Sequence, residues 1–177
     1  ALAARHQVNF LGAVTWAFEF ENQPWFDGFR DLATNGVEKP VLNVFRMFGL
    51  MGGQLLPADS SGQVALENIR GEGVRATPDV GALASRNGNT ISVMVWHYHD
   101  EDVPGPDANV ALTIDGVAAA RAQMTHYRID STHANSYTAW QRMGSPAQPT
   151  AAQVAELQRA AGLELLAPPA WVNSRQG

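Results

Sequence analysis

Between Ala13 and Glu21 the side chains alternate in kind. Val14, Trp16, Phe18 and Phe20 hold one parity, and Ala13, Thr15, Ala17, Glu19 and Glu21 hold the other. A period of two belongs to a strand whose successive side chains point to opposite faces. One face is wholly apolar, while the other is small at its start and acidic at its end. Gly12 and Asn22-Gln23-Pro24 bound the strand, because Pro24 lacks a ladder donor and pushes Gln23 out of helical geometry. Glu19 and Glu21 therefore stand at the C-terminal exit, which in a parallel α/β barrel faces the active-site mouth. Paired carboxylates suit general acid/base work. Two on one strand face, however, point the same way, whereas groups attacking and protonating one bond must flank it. Ion pairs with arginine or open solvent at a strand end account for the same residues.

The stretch Leu2-Ala3-Ala4-Arg5-His6 reads as the last turn of a helix, with cationic groups at the negative end of its dipole. After the strand comes an aromatic loop, Trp25-Phe26-Asp27-Gly28-Phe29, in which Gly28 permits a tight bend between rings. A helix is expected from Pro40. Val41, Val44, Phe45 and Phe48 form its i, i+3, i+4, i+7 stripe, and Gly49 followed by Gly52-Gly53 ends it. Helix, strand, loop and helix amount to one β/α unit and a fraction.

Past Gly53 the texture changes to short β runs separated by turns: residues 54–56, 63–66, 81–85, 90–98, 109–115 and 123–129. That spacing predicts an antiparallel sandwich. Ile91 to Tyr98 is the strongest run, introduced by Arg86-Asn87-Gly88-Asn89, whose Asn-Gly is a hairpin signal. A domain boundary is placed near Gly52-Gly53. Asp130 to Tyr137 reads as a polar loop carrying Tyr137 and Trp140. Thr150 with Gln153 forms a capping box that opens a helix closed by Gly162. Leu163 to Leu166 can begin another strand, and the segment from Pro168 to Gly177 shows none.

With 177 residues, 45% hydrophobic and 16% charged, the chain can bury one ordinary core and part of another. A net charge of -5 with 12 Lys+Arg offers no basic patch for nucleic acid or an anionic membrane surface. No apolar run approaches the ~18 residues of a spanning helix, and the first residues lack the order of a signal peptide. The absence of Cys removes disulfides, thiolate zinc sites and Cys nucleophiles, and leaves localisation open.

Two other clusters draw chemical readings. His97 and His99 share a strand parity and lead into Asp100, Glu101 and Asp102, the composition of a metal site. The favoured reading is a solvated turn before Pro104-Gly105-Pro106 and no metal. Ser131, His126 and Asp130 carry the residue types of a hydrolase triad, but no Gly-x-Ser-x-Gly elbow accompanies them. Gly49 to Gly53 lacks the Lys and Ser/Thr of a phosphate loop.

Four strings, VTWAFEFENQPWFDGFR, KPVLNVFRMFGLMGG, VMVWHYHDEDVPGPDA and HYRIDSTHANSYTAWQRMGSP, together resemble the C-terminal part of bacterial β-xylosidases of glycoside hydrolase family 39. The resemblance covers most of the chain in order. It implies a (β/α)8 TIM barrel followed by an antiparallel β-sandwich, here truncated at both ends. On that comparison residues 1–53 are the last β/α unit of the barrel, with TWAFEFE as its eighth strand. Residues 54–177 are a β-sandwich accessory domain lacking its C-terminal strands.

The resemblance further implies a retaining, exo-acting β-D-xylosidase that cleaves xylo-oligosaccharides without a cofactor. The family's acid/base and nucleophile lie in Asn-Glu and Thr-Glu or Gly-Glu contexts, which none of Glu19, Glu21, Glu38, Glu67, Glu72, Glu101, Glu156 and Glu164 provides. The catalytic pair is thus expected outside this chain, and the chain alone is expected to be inactive. Glu19, Glu21, Trp25 and Phe26 are the substrate-binding candidates, with Glu19 preferred over Glu21 as the deeper of the two. The partner is a xyloside, and a homo-oligomer stays open. Two alternatives remain. One is a non-catalytic carbohydrate-binding or structural β-sandwich. The other is an iduronidase-type member, whose anionic sugar the acidic pair disfavours.

Overall fold

Asn35 and Gly36 both take positive φ, 45° and 76°, the Asn-Gly geometry of a hairpin turn whose twist suits its strands. They connect β1 (Ala33–Thr34) to β2 (Val37–Glu38). The computed structural model describes Asn9 and residues 23–28, 31–101 and 107–173. The expected helix turn at Leu2–His6 and strand at Ala13–Glu21, with Glu19 and Glu21, lie outside the described residues. So do Asp102 and the Pro104-Gly105-Pro106 turn.

In chain order the ribbon is followed by α1 (Pro40–Leu50), β3 (Gln54–Leu56), α2 (Leu66–Glu72), β4 (Asp79–Asn87), β5 (Thr90–Tyr98), β6 (Arg121–Met124), α3 (Ser136–Arg142), α4 (Ala151–Ala161) and β7 (Ala170–Asn173). Helices are thus mixed with antiparallel sheets. No described helix is long and apolar enough to cross a membrane. Contacts group the chain into two compact units, residues 1–13 with 49–113 and residues 14–48 with 114–177.

The first unit holds the sheet β3-β4-β5. Its hairpin β4-β5 pairs Asp79 with Tyr98 through to Asn87 with Thr90, so the turn is Gly88-Asn89, one residue beyond the Asn-Gly expected to make it. Only Gly88 takes positive φ there, 58°, the Gly-first arrangement of a two-residue hairpin. Trp96 lies across the strand from Gly81, and a Cβ at Gly81 would land inside the indole. The indole N–H donates to Asp79 Oδ2 at 2.7 Å, while Asp79 Oδ1 accepts Val64 N–H at 2.8 Å.

That second bond explains one correction. Residues 63–66 form no strand, because Val64 is held by a carboxylate, and α2 begins at Leu66. Residues 109–115 also form none. Val110, Leu112 and Ile114 are exposed and have no partner strand among the described residues.

The second unit has its core at Val37, Ala139, Leu157 and Ala161, with Trp25, Phe26, Trp140, Met143 and Val154 packed on it. The capping box of α4 forms as expected: Gln153 N–H reaches Thr150 Oγ1 at 3.3 Å, and Thr150 N–H reaches Gln153 Oε1 at 2.9 Å. Gly162 is its C-cap. The polar loop ends sooner than expected, since α3 starts at Ser136 under an Asn135 cap. The final segment does contain a strand, for β7 pairs with β6, Trp171 opposite Gln123. The run expected at 123–129 is correspondingly short, continuing only as a Tyr127–Leu165 bridge.

Helix α1 starts at Pro40 as its missing donor allows. Its buried position is not the apolar stripe but Asn43, at 0% exposure, while Val41, Val44, Phe45 and Phe48 are exposed. Asn43 Nδ2 donates to Ala161 O at 2.7 Å and Ala134 O at 3.2 Å. Its Oδ1 accepts Arg46 Nη1 at 3.0 Å. One amide thus fills the carbonyls that a helix end and a loop leave open.

Candidate functional site

Residues 23–28 make a short, heavily tied loop. Asp27 N–H closes a turn onto Pro24 O at 3.2 Å. Phe26 sits at φ 57°, a region that bulky residues enter only when their surroundings hold them there. The holding group is Thr34 Oγ1, which accepts Phe26 N–H at 3.1 Å. Lys39, 9% exposed, donates Nζ to Asp27 O at 2.8 Å and Gly28 O at 3.4 Å. Asn35 Nδ2 holds Gln23 O at 3.0 Å. At Gly28, φ 91°, a Cβ would run into the Asp31 carboxylate.

This scaffold presents four rings. Phe26 meets Tyr137 edge-on at 5.6 Å and Trp140 at 5.2 Å, Trp25 lies 6.4 Å from Phe26, and Tyr137 stacks on Trp140 at 6.0 Å. These separations fall in the range of favourable aromatic pairs. Trp140 Nε1 is satisfied by Pro146 O at 3.0 Å. Trp25 and Phe26 are half-buried, and Tyr137 is exposed. The resulting cluster is apolar, its ring planes tilted 29° to 61° from one another, and exposed aromatic faces are groups that can pack on the C–H faces of sugar rings. Sequence reasoning found Trp25 and Phe26 but left Tyr137 and Trp140 in a loop. Their spacing of three, behind a capping Asn135, was the signal for a helix face.

Nearby titratable groups serve structure. Glu38 and Arg46 form a fork of 2.5 and 2.6 Å hydrogen bonds, and the guanidinium's hydrogen bond lowers the Glu38 pKa. Ser136, fully buried, donates to Glu38 O at 2.6 Å.

The other clusters resolve differently from the triad pattern. Asp130 Oδ1 receives His133 Nδ1 at 2.8 Å, whereas His126 offers its carbonyl to Leu166 N–H. The imidazole beside Asp130 is therefore not that of His126. His99 engages Arg75 O through Nε2 at 2.8 Å and Glu101 through Nδ1 at 3.1 Å. Among the described residues no group of three His, Cys, Asp or Glu is placed to hold a metal.

The family model "Glycosyl hydrolases family 39" matches residues 9–176. The chain belongs to glycosyl hydrolase family 39. Within reach of that match, a beta-xylosidase of Caldicellulosiruptor saccharolyticus is 26% identical over 141 residues, which are 80% of this chain and 26% of that protein. The crystal structure of a monomeric beta-xylosidase from Caulobacter crescentus CB15 aligns with TM-score 0.60 at 16% identity, over 83% of this chain and 29% of that one. The resemblance drawn from the four sequence strings is thus met at the level of family, and the alignment shows a shared fold over the matched part. The chain spans a little over a quarter of the length of each of these two proteins.

Proposed function

We propose that this chain is the C-terminal part of a retaining, exo-acting β-xylosidase acting on xylo-oligosaccharides, with its catalytic Glu pair on segments outside the chain. The observation that carries the reading is the family match over residues 9–176. In this reading residues 1–53 supply the last β/α unit of a TIM barrel, and residues 54–177 an accessory β-sandwich. The exposed stripe Val41, Val44, Phe45 and Phe48 of α1 supports it, since a barrel's outer helix turns such a stripe toward neighbouring elements.

The reaction requires two carboxyl groups about 5–5.5 Å apart, one attacking C1 to form a glycosyl-enzyme and one protonating the leaving oxygen. Water then releases the sugar, with the second group acting as base. The residues of this chain bind and orient. Trp25 and Phe26, fixed by Thr34 and Lys39, offer a rigid ring face to the sugar, and rigidity limits the entropy lost on binding. Glu19 and Glu21 accept hydrogen bonds from sugar hydroxyls.

Glu19→Gln in the native protein tests this. Losing a charge-assisted hydrogen bond that strengthens toward the transition state costs about 2–4 kcal/mol, roughly 30- to 1,000-fold in kcat/KM on an aryl β-xyloside. Azide will not rescue it, because azide replaces a nucleophile and not a hydroxyl acceptor. Wild-type kinetics would place Glu19 outside the subsite, and azide rescue would make it the nucleophile.

A further inference from the structure

A second cleft lies within the unit of residues 14–48 and 114–177, where the strand end beyond β6, the loop before α3 and the C-terminal turn of α4 meet. Its volume is about 120 Å³. Arg128 lines it from beyond β6, Arg142 from the last turn of α3 and Arg159 from the last turn of α4. These are three of 12 basic residues in a chain of net charge -5. A field of the opposite sign to the whole molecule is thereby gathered in one concavity.

The protein answers only part of that charge. Asp130 Oδ2 lies 3.8 Å from Arg128 Nε, but its Oδ1 already accepts Thr132 N–H, Thr132 Oγ1, His133 N–H and the His133 ring, all between 2.8 and 2.9 Å. Arg142 gives one Nη1 bond to Ser131 O at 3.0 Å, which fixes the fork and leaves its other donors free to act. The Arg159 guanidinium makes no hydrogen bond or ion pair with any described residue. Glu164, the one carboxylate among the lining residues, is exposed and likewise has no described cationic partner. Three guanidinium groups against Glu164 in the lining and Asp130 beside Arg128 leave an excess positive charge and several planar donor forks.

The wall opposite is stiff. Ala134 lines the cleft at φ 51°, its carbonyl gripped by the fully buried Asn43. Asn135 holds Asp130 O through Nδ2 at 2.9 Å while its Oδ1 caps α3.

We propose that this cleft binds a small oxyanion, a carboxylate or phosphate group, between Arg128, Arg142 and Arg159. Guanidinium forks match the two oxygens of such groups in plane, which a point-charge ammonium would not. At ~30 Å³ per displaced water, the space suits a head group rather than a polymer. The site is separate from the aromatic loop and does not depend on the xylosidase reading.

The test is calorimetric titration of the purified native protein with sodium phosphate, with sodium glucuronate and with neutral xylose, at matched ionic strength. Saturable binding of phosphate, glucuronate or both is expected, with none for xylose at this site. Arg159→Gln will weaken it about tenfold, as loss of a charge-assisted bond to the ligand does. The variant will keep the wild-type melting temperature and xyloside kcat/KM. Binding of glucuronate alone names a sugar acid as the ligand class, and binding of phosphate alone a phosphate ester. Absence of saturable heat with both anions, or equal affinity in an Arg159→Gln protein that melts as wild type, overturns the proposal.

Discussion

Phe26 N–H and Thr34 Oγ1 meet at 3.1 Å, and this bond joins the aromatic loop to β1. Thr34 is 3% exposed, so little water can replace its hydroxyl. Thr34→Val keeps the shape, removes the acceptor and leaves the Phe26 N–H at φ 57° unpaired. A loss of about 1–3 kcal/mol follows, the cost of stranding a shielded donor. Urea denaturation measures it, and Thr34→Ser should restore most of the stability. If valine and threonine proteins unfold at the same denaturant concentration, the loop is held by its rings alone.

Asn43 ties α1 to the end of α4 and to the loop before α3. Asn43→Leu strands the carbonyls of Ala161 and Ala134 and forces an apolar side chain between them. The expected cost is about 2–4 kcal/mol. It is read by the same denaturation, and hydrogen exchange at the C-terminal turn of α4 should accelerate. Unchanged exchange there would mean those carbonyls find other donors.

Asp130 predicts a pH dependence. Burial opposes its ionisation, but hydrogen bonds from Thr132 and His133 overcome that and bring its carboxyl from 3.8 to about 2. A folded pKa below the unfolded one gives stability that is present above about pH 4 and is lost as pH falls toward 2. The side chain is 37% exposed, so solvent screening keeps the effect modest. Asp130→Asn should flatten this part of the stability profile between pH 4 and pH 2. A variant whose profile over that window parallels the wild type would assign the acid sensitivity elsewhere.

What could be read from the chain alone was local chemistry. The Thr150-Gln153 box and the β4-β5 run stand where pattern put them, because both rest on neighbours in sequence. Asn35-Gly36 carried the same kind of signal and makes the β1-β2 turn, though the flanking strands are too short to show a period. The α1 stripe marked the helix from Pro40 but not the residue it buries. Periodicity reports an apolar face, not what covers it, and here the buried contact is the polar Asn43. Helix α3 hid behind polar residues whose role as caps depends on the fold around them. At the candidate site, the sequence named Trp25 and Phe26 but not Thr34 and Lys39. A hydroxyl and an ammonium that serve backbone atoms 8 to 12 residues away leave no pattern to read.

The direct test of the account is the anomeric form of the sugar first released by the native protein from a β-xyloside. Retention through a glycosyl-enzyme delivers the β-anomer before mutarotation mixes the forms. Proton NMR within the first minutes should show the β-xylose signal rising ahead of the α signal. An α-anomer appearing first, or no xylose at all, would contradict the proposal that this family 39 chain belongs to a retaining β-xylosidase.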